Sequence, residues 1–319
     1  MNDPAASLPS LDSAEAVLRS ELARADATAG TVAPILRHLL ASDDHSLFSD
    51  EIVARVRGMV MDLASRLLVA LADSGQCEAR ENVLLLARLG DDLLDSPALI
   101  AHLHALVLEW QLSERLQSQI ALDPVLPPLL QALIASPDAA TAETAMKLLA
   151  AQARFVQSQR RMACQLVELP GDLFHAVLVS FRTSIGNAQV QDDRVSEAER
   201  RLRSEYDESR SRLGLIARLI AGMGGGAIAA LSVAHAGVSI FLSALAFTSG
   251  QRRDLAALAM HETQVVRLAL ALRAANLRPK ALTEQFLTFH PLASPPDVMS
   301  IGPDRAAALL ARAGDYPGG

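Results

Sequence analysis

The 319-residue chain is half hydrophobic yet only 3% aromatic, and it carries a formal net charge of −7. That acidic balance excludes a general basic footprint for nucleic acid. Two cysteines, Cys77 and Cys164, with no CxxC spacing, exclude a disulfide framework and fit a reducing compartment.

The apolar content is mostly Ala, Leu and Val, with 56 alanines. This favours helices, since strands draw on β-branched and aromatic side chains. Among basic residues 27 are Arg and 2 are Lys (Lys147 and Lys280), a bias that genomic base composition accounts for. The leading residues MNDPAASLPSLDS have neither a basic n-region nor an apolar h-region. No secretory signal is expected, and the protein is read as cytoplasmic.

Residues 1–12 read as a disordered lead to an N-terminal helical region, 13–186. Asp12 and Ser13 cap a predicted helix to about 27, and Pro34 falls in the first turn of a second, about 33–41. Ser49 caps a long helix over 50–73, with Ile52, Val56, Met59, Leu63, Leu67 and Leu71 as its buried stripe. After an SGQ turn, a helix over 78–89 ends at Gly90. Ser96 and Pro97 open one over 97–118, in the favoured cap-then-proline order. Asp123 and Pro124 start another, to about 135. The Ser136, Pro137, Asp138 step starts the next, over 138–166. Pro170 and Gly171 break it, and Asp172 begins a helix to about 184.

Residues 186–193, GNAQVQDD, read as a linker into a C-terminal helical region, 187–290. Its opening segment, 191–212, has 13 charged residues of 22 with both signs interleaved. Pairs such as Glu197–Arg201 and Glu199–Arg203 support a helix at i,i+4 spacing. One continuous helix is predicted over about 193–222. From Leu219 to Gln251 there follows an uncharged run of 33 residues. A run that long is a membrane span or the heart of a helical core. Gly224, Gly225 and Gly226, then Gly237, then Gly250 punctuate it, which divides it into short helices over about 226–235 and 238–248. Ser232, Ser239 and Ser243 also share one face. Both features favour the buried core. A span or hairpin over 219–248 is the alternative, with Arg252 and Arg253 as anchors.

Short helices are then expected at about 251–260, 262–276 and 279–289. The Pro/Gly-rich tail, 291–319, has one more at 304–313. No alternating strand pattern is found. The predicted fold is all-α and irregularly helical-repeat-like, with stacked antiparallel helix pairs and no sheet.

At 235–260, HAGVSIFLSALAFTSGQRRDLAALAM, and at 267–277, RLALALRAANL, the chain resembles a family of uncharacterised all-helical proteins from alphaproteobacteria, defined as a domain of unknown function. The matching residues are Phe241, Leu242, Ala244, Leu245, Ala246, Ser249 and Gly250, in an FLxALAxxSG-like step. The resemblance covers about 190–290. It implies an irregular helical-repeat fold in a cytoplasmic bacterial protein, and it brings no catalytic residue.

Motifs with chemical potential are sparse. His102 and His104 are two apart on one helix and do not face each other, so no shared metal is expected there. Gly222, Gly224 and Gly226 make a GxGxG, but a charged helix rather than a strand precedes it, and no GK[ST] follows. No GxSxG, HExxH or Cys–His–Asn pattern occurs. No cofactor and no metal are expected. Asp91, Asp92, Asp192 and Asp193 are read as acids at helix starts. Arg160 and Arg161 form one small basic cluster, and Arg200, Arg201 and Arg203 a second that is interleaved with acids. His261, followed by Glu262, is a weak candidate phospho-acceptor or pH-sensitive contact of a bacterial signalling component.

These observations point to a non-enzymatic interaction or scaffolding module that binds another protein, since stacked helices expose extended concave surfaces. From periodicity, Arg252, Arg253, Arg267 and Arg273 are the candidate exposed partner-binding residues on helices 251–289.

Overall fold

A computed structural model describes residues 11–41, 50–72, 79–186 and 192–314. Residues 1–10 of the expected disordered lead, the Ser49 cap, the SGQ turn, Cys77, most of the expected linker (187–191) and the last five residues lie outside the described residues. Leu11 and Asp12, the end of that lead, are already helical, so Asp12 and Ser13 lie inside the first helix rather than capping it. Among those described there are fourteen α-helices and no strand, so the fold is all-α as the sequence indicates.

The helices are α1 (Leu11–Ala41), α2 (Asp50–Ala72), α3 (Ala79–Leu94), α4 (Pro97–Ile120), α5 (Pro128–Ile134), α6 (Ala139–Arg160) and α7 (Gly171–Gly186). They continue as α8 (Asp192–Glu205), α9 (Arg212–Met223), α10 (Val233–Ser249), α11 (Arg253–Leu258), α12 (Val265–Ala274), α13 (Pro279–Phe289) and α14 (Pro303–Gly314). Single 3₁₀ segments sit at Leu166–Glu168, Glu208–Arg210, Gly224–Leu231 and Glu262–Gln264.

Several expected starts are built as capped N-termini. Ser96 accepts from the Leu99 amide with Pro97 in the first turn of α4, and Asp138 accepts from the Thr141 amide of α6. Other boundaries differ for local reasons. The two helices expected over 13–41 are one, with Pro34 inside it. An alanine-rich stretch with high helix propensity carries the chain between them. Gly90 does not end α3. A Cβ there would lie 2.8 Å from the Met61 sulfur, so this glycine lets α3 approach α2. The predicted helix 193–222 is broken. Asp207 caps the 3₁₀ turn through the Ser209 amide, and Ser211 caps α9 through the Gly214 amide. α6 stops at Arg160, where Met162 takes φ 53° and the Ala163 amide reaches back to the Ser158 carbonyl.

Two hydrophobic clusters interleave along the chain. One gathers α2, α3, α7 and α8 with the N-terminal part of α4 and the end of α6. The other gathers α5 and α9–α14 with part of α1, the C-terminal part of α4 and the start of α6. α4 and α6 therefore run through both. Within the sequence regions separated at 187, α8 joins the first cluster and α5 the second.

α10 forms the middle of the second cluster, with Val238, Phe241, Leu242 and Leu245 buried. The resemblance residues Phe241, Leu242, Ala244, Leu245, Ala246 and Ser249 are all buried there, and Gly250 is its left-handed C-cap. One helical run among the described residues, Arg212–Leu231, is long and apolar enough to cross a membrane by length and composition. It is not one continuous α-helix, because Gly224 (φ 50°, ψ −123°) turns it into the 3₁₀ segment. It also opens on a buried arginine.

Gly237 kinks α10 with φ 75° and ψ 163°, a conformation open in practice only to glycine. A Cβ there would lie 2.8 Å from the Pro127 ring. Strain and overlap together make Gly237→Ala destabilising by about 3 kcal/mol, measured by urea unfolding. A loss below about 1 kcal/mol would show that the kink relaxes freely.

Candidate functional site

The polar interior is organised around Arg212, the first residue of α9, whose side chain is 0% exposed. Its Nη1 donates to Glu109 Oε1 at 2.5 Å and its Nη2 to Glu109 Oε2 at 3.2 Å. Its Nε donates to Glu168 Oε2 at 2.9 Å, and Nη1 also meets Ser239 Oγ at 3.1 Å. The guanidinium lies over the Phe155 ring, 3.7 Å from its centroid. Arg253 joins from α11, donating to Glu109 Oε2 at 2.7 Å and to Ser243 Oγ at 3.0 Å. The Ser239 hydroxyl donates to Glu109.

Burial alone raises a carboxyl, but Arg212 and Arg253 outweigh it and hold Glu109 down to about 2. Burial opposes the charge on Arg212, yet Glu109 and Glu168 keep it above its usual value. The cluster thus stays ionised at neutral pH. Nothing in it is an unpaired acid, base or nucleophile. The Cys164 thiol nearby is pushed up by burial and by Glu168, which makes it inert.

A cleft of about 550 Å³ opens beside this cluster. Leu108, Gln111, Leu112 and Arg115 line one wall, an i, i+3, i+4, i+7 stripe of α4. Ala257, Met260, His261, Glu262 and Val265 form the opposite side. Phe289, His290, Pro291, Leu292 and Ala293, where α13 gives way to the tail, complete it. Leu292 on its rim is 100% exposed. Among the described residues, Nε and Nη2 of Arg115 are buried without an acceptor and Nε2 of His290, a residue 7% exposed overall, is buried without a partner. Burial lowers the Arg115 guanidinium, and burial followed by Arg115 and His261 lowers His290.

A second cleft of about 550 Å³, against α2 and α8, differs in that its two arginines and its tyrosine hydroxyl are engaged. Arg66 pairs with Asp62, Arg201 donates to the Ala70 carbonyl and Tyr206 to the Leu169 carbonyl.

The residues singled out from sequence separate. Arg252 is exposed and paired with Asp254 at 2.6 Å. Arg253 turns inward to Glu109. Arg267, expected to be exposed, is 1% exposed and ion-paired with Asp26, with Nη1 donating to Gln251 Oε1 at 2.9 Å. Its neighbours on α12 are apolar on every side, so the helix has no solvent face there. Arg273 is half-buried and donates to the Ile301 carbonyl at 2.6 Å. The four form no common face. His261 is exposed on the cleft rim and caps the 3₁₀ turn by accepting from the Thr263 amide.

His102 and His104 diverge as the helix geometry requires. The first contacts the Glu168 carbonyl at 2.9 Å, and the second lies within electrostatic reach of His261. Asp92 lies within α3 rather than at a helix start, and accepts from the Ser184 hydroxyl. Among the described residues no group of three or more His, Cys, Asp or Glu is placed to hold a metal ion. Sequence reasoning missed Glu109, Arg115, Glu168 and Arg212. Glu109 carried a signal, as a lone acid in the apolar run LHALVLEWQL.

No family model, no curated protein and no solved structure matches this chain significantly.

Removing one partner of a buried ion pair leaves an uncompensated charge. Glu109→Gln is therefore expected to cost about 3–5 kcal/mol in urea unfolding. Arg252→Ala, which breaks an exposed pair, is expected to change stability by less than about 1 kcal/mol. Equal effects of the two would refute the burial argument.

Burial holds His102 and His104 down to about 4, against an ordinary value of 6.5. Arg253 adds to this at His102, opposed by the Glu168 carbonyl, and His261 adds to it at His104. The unfolded chain therefore takes up protons first, and stability falls as pH drops from about 6.5 to 4. Glu109 works in a lower window. Its stabilisation is complete above 4.5 and is lost as pH falls towards about 2. Thermal unfolding across pH 7 to 4 is expected to show the first decline, with a shallower slope in His104→Gln. An unchanged slope in that variant would remove His104 as a cause.

Proposed function

We propose that this chain is a non-catalytic protein-interaction module whose recognition site is the cleft between α4, the α11–α12 turn and residues 289–293. The observation that carries this reading is the cleft's combination of an apolar lining, a fully exposed leucine on its rim and polar nitrogens without a partner among the described residues. Such a surface resembles the anchor pocket of an interface, with an apolar centre and few oriented polar groups. Its ionisable groups are Arg115, His261, His290 and Glu262, and no nucleophile–base pair is set among them.

A membrane reading of 219–248 has less support. It would draw α10 away from the buried cluster, and with it Ser239, which is bonded to Glu109 and Arg212. The interaction reading leaves that packing intact.

Leu292 is fully exposed, so Leu292→Asp is expected to leave thermal stability unchanged. A partner captured from host lysate by the tagged protein should be recovered about tenfold less with this variant, and undiminished with Arg252→Ala. Equal capture by Leu292→Asp and the unaltered protein would overturn the assignment of the cleft.

A further inference from the structure

We propose that the cleft receives the C-terminal end of a partner chain, with an apolar last residue on its floor and the terminal carboxylate held by Arg115. This rests on the interaction reading above and specifies its target.

The argument begins with an imbalance of buried charge. Arg212 and Arg267 are the two most deeply buried arginines, and each has carboxylate partners within the chain. Arg115 has none, and its Nε and Nη2 are buried without any acceptor among the described residues. Burying a polar group without a partner is costly, and more so for a charged one. The two orphaned nitrogens are the adjacent donors of the guanidinium's side-on edge. That edge matches the two oxygens of one carboxylate and forms paired hydrogen bonds with it. The Arg115 side chain is long and unbranched, so a rotamer change presents this edge to the cleft.

Other groups around the cleft favour an anion. His290 presents a second unpartnered nitrogen and His261 stands on the rim, against one acid, Glu262. His104, within electrostatic reach of His261, adds no negative charge. The remaining lining is apolar, including buried Met260 and Phe289.

Shape selects a chain end over a free small acid. Small-molecule sites enclose most of their ligand, whereas this cleft is open to solvent along one side. A chain end needs such an opening, because only its last residues enter. Its carboxylate and last side chain sit on one residue, which suits a cation set against an apolar floor.

Calorimetric titration of the full chain with N-acetyl-Ala-Ala-Leu-Leu, as free acid and as C-terminal amide, tests this. The free acid is expected to bind about tenfold or more tightly than the amide, as one charged hydrogen-bonded pair implies. Arg115→Gln should erase that difference, and Arg115→Lys should restore it only in part, since Lys lacks the paired donors. Thermal unfolding of both variants checks folding, and loss of a buried unpaired cation is not expected to lower it. Equal binding of acid and amide would overturn the carboxylate clamp while leaving the interaction reading in place. Arg115-dependent binding of decanoate, with neither peptide bound, would overturn the chain-end occupant in favour of a small acid. Binding of none of the three probes would also overturn the inference, and capture by Leu292→Asp then judges the interaction reading separately.

Discussion

Everything in this molecule is arranged about the burial of one guanidinium. Arg212 stands at the start of α9, where the charged segment gives way to the apolar run, and the fold draws it wholly inside. The cluster that receives it is neutral overall, with Glu109 and Glu168 facing Arg212 and Arg253. Its members come from α4, the 166–168 turn, α9 and α11, with Ser239 from α10 and Gln152 from α6. These elements belong to both hydrophobic clusters. Buried ion pairs add little net stability over apolar replacements, whereas a broken pair is costly. The cluster therefore acts chiefly by penalising every packing in which one member is displaced. It fixes the register of two cores that hydrophobic contact alone would leave freer to slide.

The second buried arginine works in the same way at the other end of the chain. Arg267 ties α12 to Asp26 of α1, and the neighbouring Gln264 donates to the Ala25 carbonyl at 2.7 Å. An early helix is thus held to a late one by polar contacts inside apolar surroundings. Arg115 breaks the pattern. A protein that pairs its deeply buried guanidiniums so fully, and leaves the half-buried Arg115 guanidinium without an acceptor among the described residues beside an open cleft, has placed an unmet interaction where another molecule can reach it.

The all-α class was legible because composition and capping agree at many positions. Ser96, Asp138 and Pro279 mark helix starts, and the structure uses all three there. Local chemistry also explains where the reading failed. Asp207 and Ser211 are capping residues inside a segment whose i,i+4 charges argue for continuity, and the caps prevail. The arginines were harder. A periodic pattern assigns a charge to the solvent face unless something pairs it, and Arg267 pairs with a residue 241 positions earlier in the chain. No local window contains both partners. A separation of 175 positions likewise divides Arg115 from His290, so the cleft was invisible except for the exposed His261 on its rim.

α4 connects the rigid interior to the candidate site. Glu109 points into the ionic cluster, while the stripe of Leu108, Gln111, Leu112 and Arg115 faces the cleft. α11 leads into the opposite wall, and its Arg253 is bonded to that same Glu109. One carboxylate therefore braces both sides of the opening. A recognition site held this way loses little conformational freedom when it is filled, so more of the contact energy is retained as affinity. The neutral buried cluster and the unpaired arginine are then two parts of one arrangement: the first sets the walls, and the second supplies the group that a ligand must satisfy.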